Sequence, residues 1–174
     1  MKTPERIYAK HLLYDAVQLK IYKSILIFET EEKDERCDIT NFIQEEVKLS
    51  HIKNGECIIR CPHTTCSIFI NEAEHALLED LEHNFSQLVL IKKLNEMCPH
   101  GKYFQHGCEK CDSICNRNNA AAHIKTILEN GTAMLQVEIC GGKLNLGTWQ
   151  NIILWEHDGP REKRELKIKI ISDY

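Results

Sequence analysis

Short apolar runs rich in branched side chains predict β-strands at both ends of the chain. Residues 16–30 predict one or two strands. Residues 56–70 predict a strand that is interrupted at Pro62, because proline cannot donate the hydrogen bond that a strand interior needs. Three further strands are predicted in the C-terminal third, separated by glycine-containing turns, at about 133–140, 143–156 (broken near Gly147) and 164–172.

Helical spacing of apolar residues predicts helices between these two groups of strands. A short helix should begin at Asp38 or Thr40 and end before the Asn54-Gly55 turn, with a longer helix at 73–91 and a third at about 119–129. Strands at both ends with helices between them favour an α+β fold, in which helices pack against a mostly antiparallel sheet. The length of 174 residues fits one domain, and we expect residues 1–174 to form it.

Composition narrows the classes of function. The net charge of −4 argues against a nucleic-acid-binding protein, which needs a basic face. No run approaches the 18 or more apolar residues of a membrane span, and the N-terminal residues do not resemble a secretory leader. We therefore expect a cytoplasmic protein whose nine cysteines are reduced thiols.

A Cys-rich segment at about 95–118 is poor in apolar residues and predicts a long loop. Four of its cysteines are spaced in a way that allows a structural zinc site: Cys98, Cys108, Cys111 and Cys115. The alternative is a reduced, mobile insertion. In either case we expect no disulfides.

Three histidines have contexts that favour chemistry. His63 follows the proline break, His106 lies in the long loop and His123 lies early in the third helix. Histidine is both a common metal ligand and an acid or base near neutral pH. Taken singly, each fits an ordinary hydrogen-bonded or surface histidine. The remaining histidines have no such context and are expected at the surface: His11, His51, His75, His83, His100 and His157.

Further polar residues lie at predicted strand ends and turns. Glu72 follows a strand and suits a base, although it also suits the start of the next helix. Gln150 offers a directional amide beside Trp149, which we expect in the core. In the turn 156–161, carboxylates could assist a metal and an arginine could hold a phosphate, or all could be solvated; they are Glu156, Asp158 and Arg161.

Ordered motifs carry a family resemblance across residues 16–172. They are His63-Thr64-Thr65, Asn71-Glu72, His106, Asn119-Ala120-Ala121-Ala122-His123, Gly142, Leu146-Gly147-Thr148-Trp149-Gln150 and Glu156-His157-Asp158-Gly159-Pro160-Arg161. In this order they resemble the YjbQ-like family, whose members are often labelled secondary thiamine-phosphate synthase.

The resemblance implies a compact α+β domain that forms a homotrimer. It also implies a site near a subunit boundary, where three histidines can bind a divalent metal such as zinc. By position these are His63, His106 and His123. The family pattern has few cysteines before the Asn-Ala-x-x-His helix, and the Cys-rich insertion here makes His100 an alternative to His106.

The resemblance implies an enzyme with thiamine-phosphate synthase-like activity on phosphorylated small molecules. Such a transferase would join a pyrimidine diphosphate to a thiazole phosphate and release pyrophosphate. Three histidines suit zinc better than magnesium, which favours a zinc-dependent hydrolase as the alternative, with Glu72 or Glu156 as base. A non-enzymatic metal- or small-ligand-binding protein is the third hypothesis.

Overall fold

A computed structural model of the chain describes residues 19–89, 100, 104–111, 113–114, 117–129 and 134–173, and the backbone alone for 12–16. Within these residues, nine strands form two antiparallel sheets. The strands are β1 (Leu12–Ala16), β2 (Leu19–Thr30), β3 (Glu35–Asp38), β4 (Gly55–Arg60), β5 (Cys66–Asn71), β6 (Met134–Cys140), β7 (Lys143–Leu144), β8 (Asn151–Glu156) and β9 (Arg161–Ser172). The larger sheet has the order β1-β2-β9-β4-β6-β7 and the smaller one the order β3-β8-β5.

Among the described residues, three α-helices complete an α+β fold: α1 (Thr40–Ser50), α2 (His75–Val89) and α3 (Ala120–Glu129). Helix α1 lies where it was predicted, but its N-cap is Ile39, which makes no side-chain cap bond, so the prediction that Asp38 or Thr40 caps it is wrong. The carboxylate of Asp38 instead accepts the Thr40 amide at 2.9 Å, in a turn that leads into the helix. Where the chain is described, no helix is both long and apolar enough to cross a membrane. Asn130 and Gly131, a pair typical of a helix end that follows the third predicted helix, lie outside the described residues.

Most of the predicted strands are confirmed, and Pro62 does separate β4 from β5. The charged residues 31–36 follow the first predicted strand region and fit a turn by composition, but the structure shows that β3 begins within them, at Glu35. Only Cys37 in this strand is buried, so it has no apolar pattern to reveal it. Its pairing with β8 places it in the sheet, and that partner lies more than a hundred residues away in the chain.

The main core lies between the two sheets and α1. Every second residue of β2 and β9 is buried along most of their length, which is the pattern of sheets with one face on the core. Strand β8 is buried on both faces, and its Trp155 is completely enclosed. The C-terminal end of β8 therefore enters the chain's interior directly before the predicted site turn.

A second, smaller apolar cluster connects α2, α3 and the loop between them. Val89, Phe104 and Ala120 are its buried members, and Ile124 packs against them. Phe104 thereby anchors the described part of the Cys-rich segment to the start of α3. This contact fixes the position of His106, two residues later.

Candidate functional site

Three chain segments meet beside the end of β8: the turn 157–160, the residues that precede α3, and residues 104–111, which we call the cysteine loop. A chain of hydrogen bonds connects them. The Nε2 atom of His106 lies 3.0 Å from Oδ1 of Asn119, and Asn119 donates its amide to Asp158 at 2.8 Å. Asn119 belongs to the motif before the Ala-rich helix, but its role in orienting His106 is visible only in the structure.

This connection fixes the tautomer of His106. The Asn119 amide nitrogen faces a carboxylate, so its carbonyl oxygen must face the imidazole. The oxygen only accepts hydrogen bonds, and Nε2 of His106 must therefore carry the proton. In a neutral ring, Nδ1 then keeps its lone pair, which is the state required of a metal ligand or a general base.

Two arginines surround Asp158. Arg161 makes a short contact to its carboxylate, and Arg117 lies 3.7 Å from the same oxygen. The three side chains together carry a net charge of +1. Part of the Arg117 and Arg161 surface is exposed, so their remaining N–H groups can meet an anion from solvent.

His123 lies beside His106. Their rings are edge to face, with centroids 5.0 Å apart, and both side chains are half-buried. Because His123 is on the first turn of α3 and His106 on the cysteine loop, the contact also connects these two segments. Two of the three predicted histidines are thus brought together in a single chain.

His63 lies on the loop between β4 and β5, where its Nε2 atom accepts the backbone N–H of Glu165 at 2.9 Å. Partial burial and the nearby Arg164 lower its pKa from the ordinary value of 6.5, so it is neutral at neutral pH. Within one described chain, the ligand atoms of the three histidines do not all lie within 4.8 Å of one another. The ligand set His63, His106 and His123 stays a prediction.

Glu156 is completely buried and has two structural partners. One oxygen contacts Arg164, whose side chain also donates to Thr65 at 3.1 Å, and the other accepts the Asp158 amide at 2.7 Å. Burial works against the charge of Arg164, but its hydrogen bond to Glu156 and the attraction of nearby acidic groups, Glu156 first, together outweigh burial and raise the pKa of the guanidinium. A carboxylate held this way positions the Asp158 turn and is poorly placed to take a proton from solvent.

The other predicted residues have different positions. Gln150 is exposed and accepts the Gly147 amide at 2.7 Å, which closes its own turn. Glu72 is half-buried at the junction of β5 and α2. Its backbone N–H donates to Asn71, and among the described residues no hydrogen bond joins the Glu72 carboxylate to His106. Trp149 was expected in the core, which is wrong: 70% of its surface is exposed in the single chain, because the turn projects it outward.

His157 was expected at the surface, and that is also wrong. Its ring is completely buried, with Nδ1 3.1 Å from Asp34 and Nε2 2.8 Å from Glu129. Burial alone would lower its pKa, but hydrogen bonds to the two carboxylates outweigh burial and raise it. The imidazolium form of this histidine, adjacent to Asp158 in sequence, is therefore favoured over that of a free imidazole.

The cysteine loop brings a different set of ligands together. His100, Cys108 and Cys111 place one donor atom each within 4.8 Å of one another, as a group that can hold a metal ion. Cys98 and Cys115, the other two predicted zinc ligands, lie outside the described residues. The seven described cysteines form no disulfides with one another.

Comparison with known proteins identifies the family. The family model described as "UPF0047 protein YjbQ-like" matches residues 24–173. The chain belongs to the YjbQ-like family. A UPF0047 protein of Archaeoglobus fulgidus is 35% identical over 139 residues, which cover 80% of this chain and 94% of the relative. UPF0047 protein YugU of Bacillus subtilis is 32% identical over 139 residues, covering 79% and 91%.

Solved structures of YjbQ-like proteins have the same fold. A protein of unknown function from Sulfolobus solfataricus has a TM-score of 0.72 at 29% identity, and the match covers 90% of this chain and 100% of that one. An uncharacterized conserved protein of the family from Clostridium acetobutylicum has a TM-score of 0.66 at 33% identity, covering 84% and 98%. These relatives support the family and the fold, and their descriptions assign no activity.

Proposed function

We propose that this YjbQ-like protein is an enzyme that acts on phosphorylated small molecules with the help of a divalent metal. The main support is a connected set of side chains: His106, Asn119, Asp158 and Arg161. In this set Asn119 orients the imidazole, and Arg161 contacts the same Asp158 carboxylate that Asn119 bonds to. Buried polar chains of this kind cost free energy to order and are common at sites that hold a ligand in a defined geometry.

The charge of the site favours a phosphate. Asp158 neutralises only one of the two neighbouring guanidiniums, so one positive charge is left for an anion. Arginine presents paired N–H groups that match two phosphate oxygens. Asp158 fixes the side chain of Arg161 before a ligand arrives, which reduces the entropy lost on binding.

The donor atoms favour zinc as the metal. Nδ1 of His106 and the ring of His123 offer imidazole nitrogen, which suits zinc better than magnesium. A bound zinc would supply Lewis-acid chemistry. His106 would hold it in the tautomer set by Asn119, and Arg161 would hold the phosphate.

The finer proposal for the reaction is a thiamine-phosphate synthase-like transfer. The substrate pair would be a pyrimidine diphosphate and a thiazole phosphate, with pyrophosphate as leaving group. The site would stabilise the charge that develops on this leaving group through Arg161 and the metal. A zinc-dependent phosphate-ester hydrolase is the alternative with the same residues.

We also propose a homotrimer. Because the three histidines do not converge within one chain, binding of a single ion would need His63 to come from a neighbouring protomer or its loop to move. The exposed Trp149 also supports an assembly, because large aromatic residues are enriched at protein–protein interfaces and a neighbouring protomer would cover this one. Light scattering at micromolar concentration would return three times the mass of the 20.2 kDa chain. A monomer mass would contradict this proposal.

The enzymatic proposal is tested with purified protein and two assays: thiamine phosphate formation from the two phosphorylated precursors, and hydrolysis of a general phosphate ester. His106→Ala and Arg161→Gln should each lower the rate by at least about 100-fold, the usual effect of removing a positioned charged group. The matched control is His75→Ala, because His75 is an exposed histidine on α2.

Each outcome has a defined meaning. Activity only in the second assay, lost in the same variants, favours the hydrolase. If neither reaction proceeds but metal binding depends on His106, the protein is a binding module and the enzymatic proposal is wrong. Equal rates for the wild type, His106→Ala and Arg161→Gln would refute the site assignment.

A further inference from the structure

His100 and two residues of the cysteine loop, Cys108 and Cys111, place three soft or borderline donor atoms around one point. Nδ1 of His100 lies 3.3 Å from Sγ of Cys111 and 4.0 Å from Sγ of Cys108. Zinc–sulfur and zinc–nitrogen distances of about 2.3 and 2.0 Å at a tetrahedral angle separate N and S by about 3.5 Å. The two observed distances lie on either side of that value, so small side-chain rotations would bring both thiols to it.

We propose that His100, Cys108 and Cys111 bind one structural zinc ion, independently of the histidine site. The donor set differs from the four cysteines expected from sequence, because His100 supplies a ligand. Two thiolates and a neutral imidazole balance the charge of Zn²⁺. Structural zinc usually has four ligands, so a further donor or a water molecule would complete the tetrahedron. Binding would release two thiol protons to solvent.

The backbone builds the geometry of a zinc-binding turn. A single 3-10 turn, Glu109–Cys111, returns the Cys111 amide to the Cys108 carbonyl at 2.9 Å. Before it, the Cys108 amide bonds to the carbonyl of Gln105 at 2.9 Å. Two consecutive turns therefore place both cysteine side chains on one side of the loop, as ligands in the order Cys-x2-Cys require.

Gly107 shows that this loop is packed against the rest of the site. Its φ of +79° favours glycine, and a Cβ atom there would lie 2.3 Å from the backbone oxygen of Arg117. Its backbone N–H donates a hydrogen bond to Ser113 Oγ at 2.8 Å. The close approach connects the cysteine turn to the segment that leads into Asn119 and α3.

The proposed ion would lie where it can hold the cysteine loop, and with it His106, in place. His106 lies two residues before Cys108, between the apolar anchor Phe104 and the metal turn. The loop itself buries little apolar surface beyond Phe104 and Cys108, so hydrophobic packing alone gives it little stability. A zinc ion at Cys108 and Cys111 would fix the second end of the loop and so restrict His106.

The test uses metal content and the spectrum of the cobalt-substituted full chain, which distinguishes thiolate from imidazole ligation. Wild-type protein should retain about one zinc per chain at this site, and cobalt in its place should give a thiolate-to-metal charge-transfer band. Cys111→Ser and His100→Ala should each reduce that metal content, and Cys111→Ser should also weaken the band. Cys140→Ser is the matched control, because Cys140 is exposed on β6, outside this group.

His100 and Cys111 are both at least partly exposed, so their substitution should leave the core intact, as unchanged circular dichroism would confirm. A wild-type protein without the thiolate band, or a band and metal content equal in Cys111→Ser and Cys140→Ser, would overturn the proposal. A metal bound at the histidine site alone would lack the band. Failure of this site is therefore distinguishable from failure of the proposed enzymatic site.

Discussion

The buried ion group around His157 should be the most sensitive electrostatic feature of this fold. Its ring is completely buried and contacts Asp34 and Glu129, and Asp34 also contacts Lys125 at 2.9 Å. The other oxygen of Glu129 is buried without a partner among the described residues. Replacing His157 by leucine would leave the bonded oxygen with only the hydroxyl of Ser67.

The magnitude follows from the loss of one partner of a buried ion pair, which costs about 3–5 kcal/mol. For a chain of this size, 1 kcal/mol corresponds to about 2–4 °C, so the melting temperature should fall by roughly 6–20 °C in His157→Leu. His157→Gln keeps one donor and should lie between the wild type and His157→Leu. His75→Gln, an exchange at an exposed position, should remain near the wild type.

The same group predicts a pH dependence. The pKa of His157 in the folded protein is raised above its ordinary value of 6.5, so its contribution is complete below about pH 6.5. The contribution is lost as the pH rises through the folded-state pKa. Burial opposes ionisation of Asp34, but its bonds to His157 and Lys125 lower its pKa, so that contribution is lost only in acid.

Urea denaturation followed by circular dichroism, at about pH 6 and about pH 9 and one fixed protein concentration, measures both effects. The wild type should lose more stability than His157→Leu between the two values. Equal stability of the wild type and His157→Leu at the lower pH would refute the interpretation of this group as a stabilising ion network. An identical pH dependence would show that His157 is neutral in the folded protein.

Three further substitutions test the packing that supports the site. Arg164→Leu leaves the buried carboxylate of Glu156 without its guanidinium and should destabilise the protein by about 3–5 kcal/mol in urea unfolding; a change below about 1 kcal/mol would contradict a buried ion pair. Ile59→Ala removes a completely buried side chain of β4 and should lower the free energy of unfolding by about 2–5 kcal/mol, measured by calorimetry. Ile59→Val should lower it by only about 0.5–1.5 kcal/mol, and a larger loss in Ile59→Val than in Ile59→Ala would contradict this prediction. Gly55→Ala places a Cβ 2.0 Å from the Ile171 oxygen and should lower the melting temperature more than Gly141→Ala, where space is open; equal effects would mean that β9 yields to the extra atom.

Much of the fold could be predicted from local pattern. Branched residues in β2 and β9 and the apolar spacing of α2 each indicate which face of an element meets the core, and that information lies within a few neighbouring residues. The strand break at Pro62 has an equally local cause. The order of the motifs also determined the family.

The candidate site was only partly predictable, because its geometry depends on contacts between distant segments. His106 and His123 were proposed from their motifs, but the amide that orients His106 became visible only when α3 brought Asn119 to the turn at Asp158. The sequence likewise predicts zinc ligands among the cysteines of residues 95–118, whereas the position of His100 beside Cys108 and Cys111 is visible only in the structure.

The sequence by itself determined the family, the α+β class and most strand and helix positions, since hydrophobic periodicity and turn residues act locally. Only the tertiary structure decided which polar residues are buried and which large apolar residue is not. His157 meets Asp34 across 123 residues of chain, and β3 forms because β8 lies beside it. Trp149 is exposed because its turn projects from the sheet. The physical reason is that burial of a charge is stable only where the topology supplies its partner, and no local pattern records that partner.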